Sequence, residues 1–249
     1  MIEAIIFDMD GTLVQTEPLK ALSYARAVIQ FSPLPVTEER VLEAYQDTYG
    51  ISEPLTAQML MQRFGLDSAI RQRLHEFGAD APVEAFLAVQ RRAYAQMLAD
   101  SEAIRRAVLP EAIAVLDVVK RDGFKVALAT MSYRDQAERI LDALGLAETF
   151  DAVVTEDDVE RGKPDPEIYL TVARSLGVRP GRCLVIEDTL AGVRSALAAG
   201  TWCIAVPTHL TRDEVHDADV LPERWIVGDP AQLNAVVQGM LSERARQDA

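Results

Sequence analysis

The sequence is poor in basic residues compared with acidic ones. Of its 249 residues, 25 are Lys or Arg and 39 are Asp or Glu, which gives a formal net charge of −14. Nucleic acids and anionic lipid surfaces are bound through clustered Lys and Arg, so we expect neither a nucleic acid nor a membrane as a partner. Net charge does not describe an individual pocket, and a local anion site is compatible with it.

Cysteines are also scarce, and long apolar runs are absent. Cys183 and Cys203 are the only two cysteines, too few for a disulfide scaffold. No apolar run approaches the roughly 18 residues that a membrane-spanning helix needs. The first apolar stretch is interrupted by Asp8 and has no basic flank or cleavage site of a secretory signal. We therefore expect a cytoplasmic protein.

Short apolar runs alternate with amphipathic helical patterns through most of the chain. The helical patterns end at Gly145, Gly177 and Gly200, and a glycine is a common helix stop. This alternation predicts βαβ units, and hence a Rossmann-like, doubly wound parallel sheet within an α/β domain formed by residues 1–15 and 106–249. The predicted strands are 2–7, 125–130, 151–155, 183–186 and 202–206, with a weaker one at 225–227.

Residues 16–105 interrupt the alternation. Their apolar positions follow helical spacing, and no strand pattern stands out among them. We expect an inserted all-helical domain with helices at 18–30, 37–49, 54–64 and 83–98.

Polar residues follow the predicted strands where each strand ends. Ligands of open α/β sheets bind at the carboxyl ends of the strands, so we expect these side chains to lie close together. Carboxylates meeting there without a cation would repel one another, and an all-oxygen set favours Mg²⁺. The residues are Asp8, Asp10 and Gly11 after the first strand, Thr130 and Met131 after the second, Lys163 before a helix, and Glu187 and Asp188 after the fourth strand.

The same residues suit the chemistry of a phosphate group. Thr130 and Lys163 supply a hydrogen-bond donor and a positive charge for phosphate oxygens. Gly11 lets the backbone approach the same oxygens closely. An aspartate such as Asp8 is an established covalent nucleophile in phosphoryl transfer.

In chain order, these residues resemble the four motifs of the haloacid dehalogenase-like superfamily. The motifs are F-D-M-D-G-T at 7–12, Thr130 after a strand, G-K-P-D at 162–165, and Glu187-Asp188. The helical insertion resembles that superfamily's helical cap. The spacing and the Glu-Asp pair are most similar to the branch of β-phosphoglucomutase and phosphoglycolate phosphatase.

The resemblance implies a role for each residue. Asp8 would form an aspartyl phosphate, and Asp10 would protonate the leaving oxygen and then deprotonate the hydrolytic water. Mg²⁺ would be held by Asp8, the backbone carbonyl of Asp10, Asp188 and, directly or through water, Glu187. The phosphoryl oxygens would be held by Thr130 and the amide of Met131, and Lys163 would offset their charge. The resemblance also implies a monomer.

Two departures from the mutases of this branch favour a phosphatase. Lys20 stands where those mutases carry a histidine. The segment Gly50-Ile51-Ser52 resembles their specificity loop, but the arginine that follows it in mutases is Glu53 here. A mutase binds a second phosphate in its cap, so the absence of this arginine argues against a mutase.

The sequence thus predicts a phosphoric monoester hydrolase, namely a Mg²⁺-dependent phosphatase of a small phosphorylated metabolite, with a sugar phosphate as one candidate. Asp10 favours a phosphate ester, because dehalogenases and phosphonatases resembling this fold lack a carboxylate there. The alternatives are a β-phosphoglucomutase-like sugar phosphomutase and, more remotely, a non-catalytic phosphate or metal sensor. The candidate substrate residues in the cap are Thr16, Glu17, Lys20, Ser52 and Glu53.

Overall fold

The computed structural model describes residues 1–48 and 51–247. Its contacts divide the chain into two compact units. The first, called the sheet unit here, comprises Met1–Gln15 and Ser101–Ala249, and the second, the helical unit, comprises Thr16–Asp100. The boundary predicted from the sequence lies five residues later, at 105, and the domain assignment itself stays a prediction. In the part of the chain that the structure describes, no helix is long and apolar enough to cross a membrane.

A five-stranded parallel sheet forms the centre of the sheet unit, with the strand order β3-β2-β1-β4-β5. In the register of the sheet, Phe7 at the end of β1 lies opposite Leu128 of β2 and Ile186 of β4. The carboxyl ends of these three strands therefore meet at one edge. The strands are β1 (Ala4–Phe7), β2 (Lys125–Ala129), β3 (Ala152–Val154), β4 (Cys183–Glu187) and β5 (Trp202–Ala205).

Helices cover both faces of this sheet, which is why β1 is apolar along its whole length and why β2 and β4 are apolar apart from Lys125 and Glu187 at their ends. Ala4 and Ile6 of β1 belong to a core cluster with Ile168 of α10 (Glu167–Leu176) and Val193 of α11 (Leu190–Ala198). Side chains alternate along a strand, so Ile5 points to the opposite face. The helices are α7 (Ser101–Arg106), α8 (Pro110–Arg121), α9 (Arg134–Leu144), α10 (Glu167–Leu176), α11 (Leu190–Ala198), α12 (Arg212–Asp217) and α13 (Leu233–Gln247).

The α/β fold class predicted from the sequence is confirmed, with an all-helical insertion after β1. Two predicted helix stops are also confirmed, since Gly145 and Gly177 follow α9 and α10 with left-handed φ angles of 71° and 65°.

The weak strand predicted at 225–227 is wrong. The amide of Trp225 donates to the carbonyl of Pro222, and that of Ile226 donates to Glu223, so both are used in a local turn. Pairing with β5 is reduced to one isolated bridge between Ala205 and Ile226.

The helical unit is built around α6 (Pro82–Leu98), which contacts α1 (Glu17–Phe31), α3 (Glu53–Phe64), α4 (Asp67–Arg71) and α5 (Leu74–Phe77). Aromatic rings fill its core, and the ring centroids of Tyr24 and Phe86 lie 6.2 Å apart. The helix predicted at 37–49 ends at Gln46, and Tyr49 lies outside the described residues. The helices are α1 (Glu17–Phe31), α2 (Glu38–Gln46), α3 (Glu53–Phe64), α4 (Asp67–Arg71), α5 (Leu74–Phe77) and α6 (Pro82–Leu98).

Candidate active site

A buried lysine joins two carboxylates at the carboxyl edge of the sheet. Asp8 directly follows β1, Glu187 ends β4, and Lys163 lies in the loop before α10. The Lys163 Nζ donates to Asp8 Oδ1 at 2.7 Å and to Glu187 Oε1 at 2.6 Å. It also donates to the carbonyl of Ala129, at the end of β2, at 3.1 Å. One ammonium group therefore ties together residues that lie far apart in the sequence.

Lys163 is held in its charged form. Its side chain is only 5% exposed, and burial by itself would lower its pKa. The carboxylates of Asp8 and Glu187 outweigh that effect and raise the pKa of Lys163 above its usual value. The ring of Tyr169 adds a cation–π contact, with its centroid 5.2 Å from Nζ. Lys163 thus supplies a fixed positive charge beside Asp8.

Glu187 is fully engaged within the protein. Its Oε1 accepts hydrogen bonds from Lys163 and from the hydroxyl of Tyr169, the latter at 3.0 Å. Its Oε2 accepts from the amides of Asp188 and Thr189 and from the Thr189 hydroxyl. A Cβ at Gly192 would lie 1.8 Å from Oε1, so this close approach requires a glycine. These contacts suit a residue that fixes the position of Lys163.

The carboxyl group of Asp8 binds a proton more tightly than an ordinary aspartate does. Burial raises the pKa of Asp8, Lys163 lowers it, and the carboxylates of Glu187 and Asp10 raise it, which together bring it to about 7. A buried carboxylate with a raised pKa gains from a nearby cation, because the cation favours its ionised form.

Three carboxylates could hold a metal ion together. Asp8, Glu187 and Asp188 are all buried, and each offers an oxygen within 4.8 Å of the others. All-oxygen ligands of this kind suit a hard divalent cation. Gly11 lies directly against this cluster, since a Cβ there would come 2.0 Å from Asp188 Oδ2, and its φ is 91°. The donor set therefore fits a metal centre.

Asp10 is not one of those three carboxylates, and its own carboxylate contacts the segment that follows β2. The Ser132 hydroxyl donates to Asp10 Oδ2 at 2.6 Å, and the Thr130 hydroxyl lies 3.4 Å from the same oxygen. Thr130 Oγ1 also accepts from the amide of Ser132 at 3.0 Å. Both hydroxyl residues are buried. Met131 lies between Thr130 and Ser132 in the chain, directly after the strand predicted at 125–130.

The sequence reasoning missed three residues of this site, namely Ser132, Tyr169 and Thr189. Ser132 and Thr189 could have been found, because each follows a predicted strand within two residues of a chosen one. Tyr169 had no such signal, since it lies next to Ile168 on the apolar side of α10 and is typical of a core residue.

The candidate substrate residues of the insertion lie in the helical unit, where Glu17, Lys20 and Glu53 have charged or polar partners. The hydroxyl of Tyr45 donates to Glu17 at 2.7 Å, and Lys20 Nζ lies 3.9 Å from Glu17. Arg91 pairs with Glu53 at 3.0 Å. Thr16 precedes α1 and Ser52 precedes α3, while Gly50 lies outside the described residues.

Comparison with known proteins identifies the family. The family model described as "haloacid dehalogenase-like hydrolase" matches residues 2–200. The chain belongs to this family. The hydrolase is 33% identical, over 85% of its own length and 88% of the relative, to a phosphorylated carbohydrates phosphatase from Thermotoga maritima. The predicted class, a phosphoric monoester hydrolase, is confirmed. Membership of a hydrolase family with phosphatase relatives argues against the alternative of a non-catalytic sensor.

Solved structures share the fold of the hydrolase. The CbbY protein of Rhodobacter sphaeroides, solved with xylulose-1,5-bisphosphate, superposes with a TM-score of 0.69 at 27% identity, over 94% of this chain and 96% of that one. A β-phosphoglucomutase from Clostridium difficile gives a TM-score of 0.73, over 98% and 99% of the two chains. At 22% identity, the second likeness concerns the fold alone.

Proposed function

We propose that this hydrolase is a Mg²⁺-dependent phosphatase that cleaves the phosphate ester of a small carbohydrate through an aspartyl phosphate on Asp8. The observation that carries the proposal is the buried contact of 2.7 Å between Lys163 and Asp8, beside the acidic cluster. This contact keeps a nucleophilic carboxylate and a positive charge at one point, where a phosphate dianion can be both bound and attacked.

In the first step, a carboxylate oxygen of Asp8 attacks the phosphorus atom, and the bond from phosphorus to the ester oxygen breaks. The electron pair of that bond leaves with the ester oxygen, which takes a proton from the carboxyl group of Asp10. Lys163 stays protonated and offsets the negative charge that Asp8 and the phosphoryl group share. The products of this step are the free alcohol and the aspartyl phosphate.

In the second step, Asp10 takes a proton from a water molecule whose oxygen attacks the phosphorus of the aspartyl phosphate. The bond from phosphorus to the Asp8 oxygen breaks, which releases inorganic phosphate and restores both carboxyl groups. The hydroxyl of Ser132 donates to Oδ2 of Asp10 at 2.6 Å, so it supports the orientation of Asp10 for both proton transfers.

Mg²⁺ would be held by Asp8, Asp188 and the backbone carbonyl of Asp10. We assign Glu187 the role of fixing Lys163 in position, because its oxygens already accept five hydrogen bonds. When bound, the ion supplies positive charge that attracts the phosphate and offsets charge in the transition state. Phosphoryl oxygens would be held by Thr130, by the backbone of Gly11 and Met131, and by Lys163.

The carbohydrate part of the proposal rests on two supports. The relative from Thermotoga maritima is named as a phosphatase of phosphorylated carbohydrates, and the CbbY structure contains a sugar bisphosphate. The boundary drawn between the two domains and the role of the insertion as a cap are part of the same proposal. The candidate residues Glu17 and Glu53, with their partners Tyr45 and Arg91, offer the polar groups that sugar hydroxyls bind.

The mutase alternative is disfavoured by the pairing of Glu53. This acidic residue takes the position of a mutase arginine, and it engages the neighbouring cation Arg91. A second phosphate would have to compete with Glu53 for that guanidinium.

Turnover of a panel of sugar phosphates, with free phosphate and the isomeric sugar phosphate measured together, tests the proposal. We expect free phosphate in a stoichiometric amount with at least one hexose or pentose monophosphate. Conversion of a hexose 1-phosphate to the 6-phosphate without free phosphate would show a mutase instead. Asp142→Asn, an exposed carboxylate on α9, is the matched control for variants of the site, and it should retain full activity.

A further inference from the structure

Tyr169 lies on the apolar side of α10, where packing alone does not require its hydroxyl. Its side chain is 0% exposed and belongs to the core cluster that contains Ile168 and Val172. A phenylalanine would fill nearly the same space, whereas a buried hydroxyl is costly unless it is hydrogen-bonded. The hydroxyl of Tyr169 therefore indicates a role beyond packing.

This hydroxyl contacts the residue that holds Lys163. It donates to Glu187 Oε1 at 3.0 Å, and the same oxygen accepts from Lys163 Nζ at 2.6 Å. The other oxygen, Oε2, accepts from the amides of Asp188 and Thr189. Hydrogen bonds to both oxygens restrict the rotation of the carboxylate and keep Oε1 directed at the ammonium group. Tyr169 thus helps to fix the oxygen that holds Lys163.

The ring of Tyr169 also contacts the ammonium group itself. Its centroid lies 5.2 Å from Lys163 Nζ, which is within the range of a cation–π interaction. The side chain of Lys163 is 5% exposed, and removal from water strengthens such an attraction. One residue therefore restrains Lys163 twice, directly through its ring and indirectly through Glu187.

We propose that Tyr169 is a positioning residue of the phosphatase, whose ring and hydroxyl keep the ammonium group of Lys163 at hydrogen-bond distance from Asp8. Tyr169 does not touch the substrate, because its side chain is fully buried. It acts through Lys163, whose Nζ lies 2.7 Å from Asp8 Oδ1. A displaced ammonium group would offset less of the charge that develops in the transition state. This role rests on the proposed function, in which Asp8 is the nucleophile.

Exchange of the Lys163 ammonium protons with water, followed by NMR of the isotope-labelled enzyme, tests the restraint without reference to activity. A buried ammonium group exchanges its protons when its contacts open, so the exchange rate measures how firmly the group is held. We expect a slowly exchanging lysine ammonium signal that Lys163→Met removes. Tyr169→Phe keeps the ring and should raise the exchange rate about threefold or more, through the lost hydrogen bond. Tyr169→Leu also removes the ring and should raise it about tenfold or more.

Two results of this experiment would overturn the proposal. One is the absence of a slowly exchanging Lys163 signal from the wild-type protein. The other is an equal exchange rate in the wild-type protein and in Tyr169→Phe, because the hydroxyl would then serve packing alone.

Steady-state kinetics with a sugar monophosphate measure what the restraint contributes to the reaction. Tyr169→Phe should lower kcat about fivefold and change KM by less than about twofold, since no contact with the substrate is lost. Tyr169→Leu should lower kcat about 50-fold, so that phenylalanine at this position restores part of the loss. Tyr94→Phe is the matched control. It removes a buried phenol hydroxyl from α6 in the helical unit and should leave kcat unchanged.

The failure of this role and the failure of the proposed function give different results. Unchanged kcat of Tyr169→Phe, in an enzyme that Asp8→Asn inactivates, would overturn the role of Tyr169 alone. A rise in KM without a fall in kcat would overturn it too, because Tyr169 would then act in substrate binding. Full activity of Asp8→Asn would overturn the proposed function and the catalytic role of Tyr169 with it. If Tyr169→Leu fails to fold, the phenylalanine variant decides the matter.

Discussion

Replacement of Lys163 by methionine removes the positive charge at the centre of the candidate site and keeps an unbranched side chain of comparable length. In the wild-type protein the ammonium group is 5% exposed and donates to Asp8 at 2.7 Å and to Glu187 at 2.6 Å. The variant leaves both carboxylates buried without that cation. Removal of one partner from a buried ion pair costs about 3–5 kcal/mol, and Lys163 serves two partners. We expect a loss near the upper end of that range at pH 8 without metal.

The free energy of unfolding that Lys163→Met loses should depend on pH, and the loss should be larger at high pH than at low pH. The pKa of Asp8 is raised to about 7 although Lys163 lowers it, so without Lys163 it rises further. A carboxyl group with a raised pKa binds more protons in the folded state than in the unfolded state. Its contribution to stability is therefore present at low pH and lost as the pH rises through its folded pKa. At about pH 5.5 Asp8 is protonated in both proteins, so the deficit of the variant should be smaller there than at pH 8.

Urea unfolding at the two pH values, in the presence of EDTA, measures these free energies. Lys120→Met is the control, since Lys120 is exposed on α8 and its Nζ donates only to the carbonyl of Thr149, at 2.6 Å, among the hydrogen bonds described. The loss of this hydrogen bond should cost no more than about 1 kcal/mol. A loss below about 1 kcal/mol for Lys163→Met at pH 8 would refute the reasoning. A deficit of the same size at both pH values would refute it too, because the carboxyl groups would then not be its source.

Three further predictions concern the reaction. Asp8→Asn should lower turnover of an aryl phosphate by about 10³-fold or more and Asp10→Asn by about 10²-fold or more, both with unchanged circular dichroism; full activity of Asp8→Asn would exclude the covalent mechanism. Ser132→Ala should lower kcat about tenfold with little change in KM, because Asp10 loses a charge-assisted hydrogen bond of 2.6 Å; an equal rise in KM would assign Ser132 to substrate binding. EDTA should abolish turnover and Mg²⁺ restore it, and calorimetry should show weaker Mg²⁺ binding as the pH falls through about 7, because the ion must displace a proton from Asp8. Turnover that persists in EDTA would contradict the cofactor assignment.

The sequence was sufficient to predict the sheet and its carboxyl edge. Among the fully buried strands, β1 is apolar along its length and β4 is apolar up to Glu187, and glycines such as Gly145 end the intervening helices, so both signals are local. The error at 225–227 has a local cause as well. An apolar run predicts burial, and Trp225 is indeed buried, but its amide bonds within a turn instead of a ladder.

The geometry of the site could be predicted only in part. Strand ends in a parallel sheet bring Asp8, Asp10 and Glu187 to one edge, and that follows from topology. The hydrogen-bond partners of these carboxylates do not follow from topology, because they depend on side-chain packing between distant segments. Thus the hydroxyl of Tyr169, on a helix face that reads as core, donates to Glu187, and no spacing in the sequence indicates this contact.

The central claim is that Asp8 carries the phosphoryl group during turnover. The most direct test is acid quenching of the enzyme during steady-state turnover of a sugar monophosphate with Mg²⁺, followed by mass spectrometry of its peptides. The account predicts one added phosphoryl group on the peptide that contains Asp8, sensitive to hydroxylamine and absent from Asp8→Asn. A phosphoryl group on another residue, or rapid turnover with no phosphorylated peptide and undiminished activity of Asp8→Asn, would contradict it.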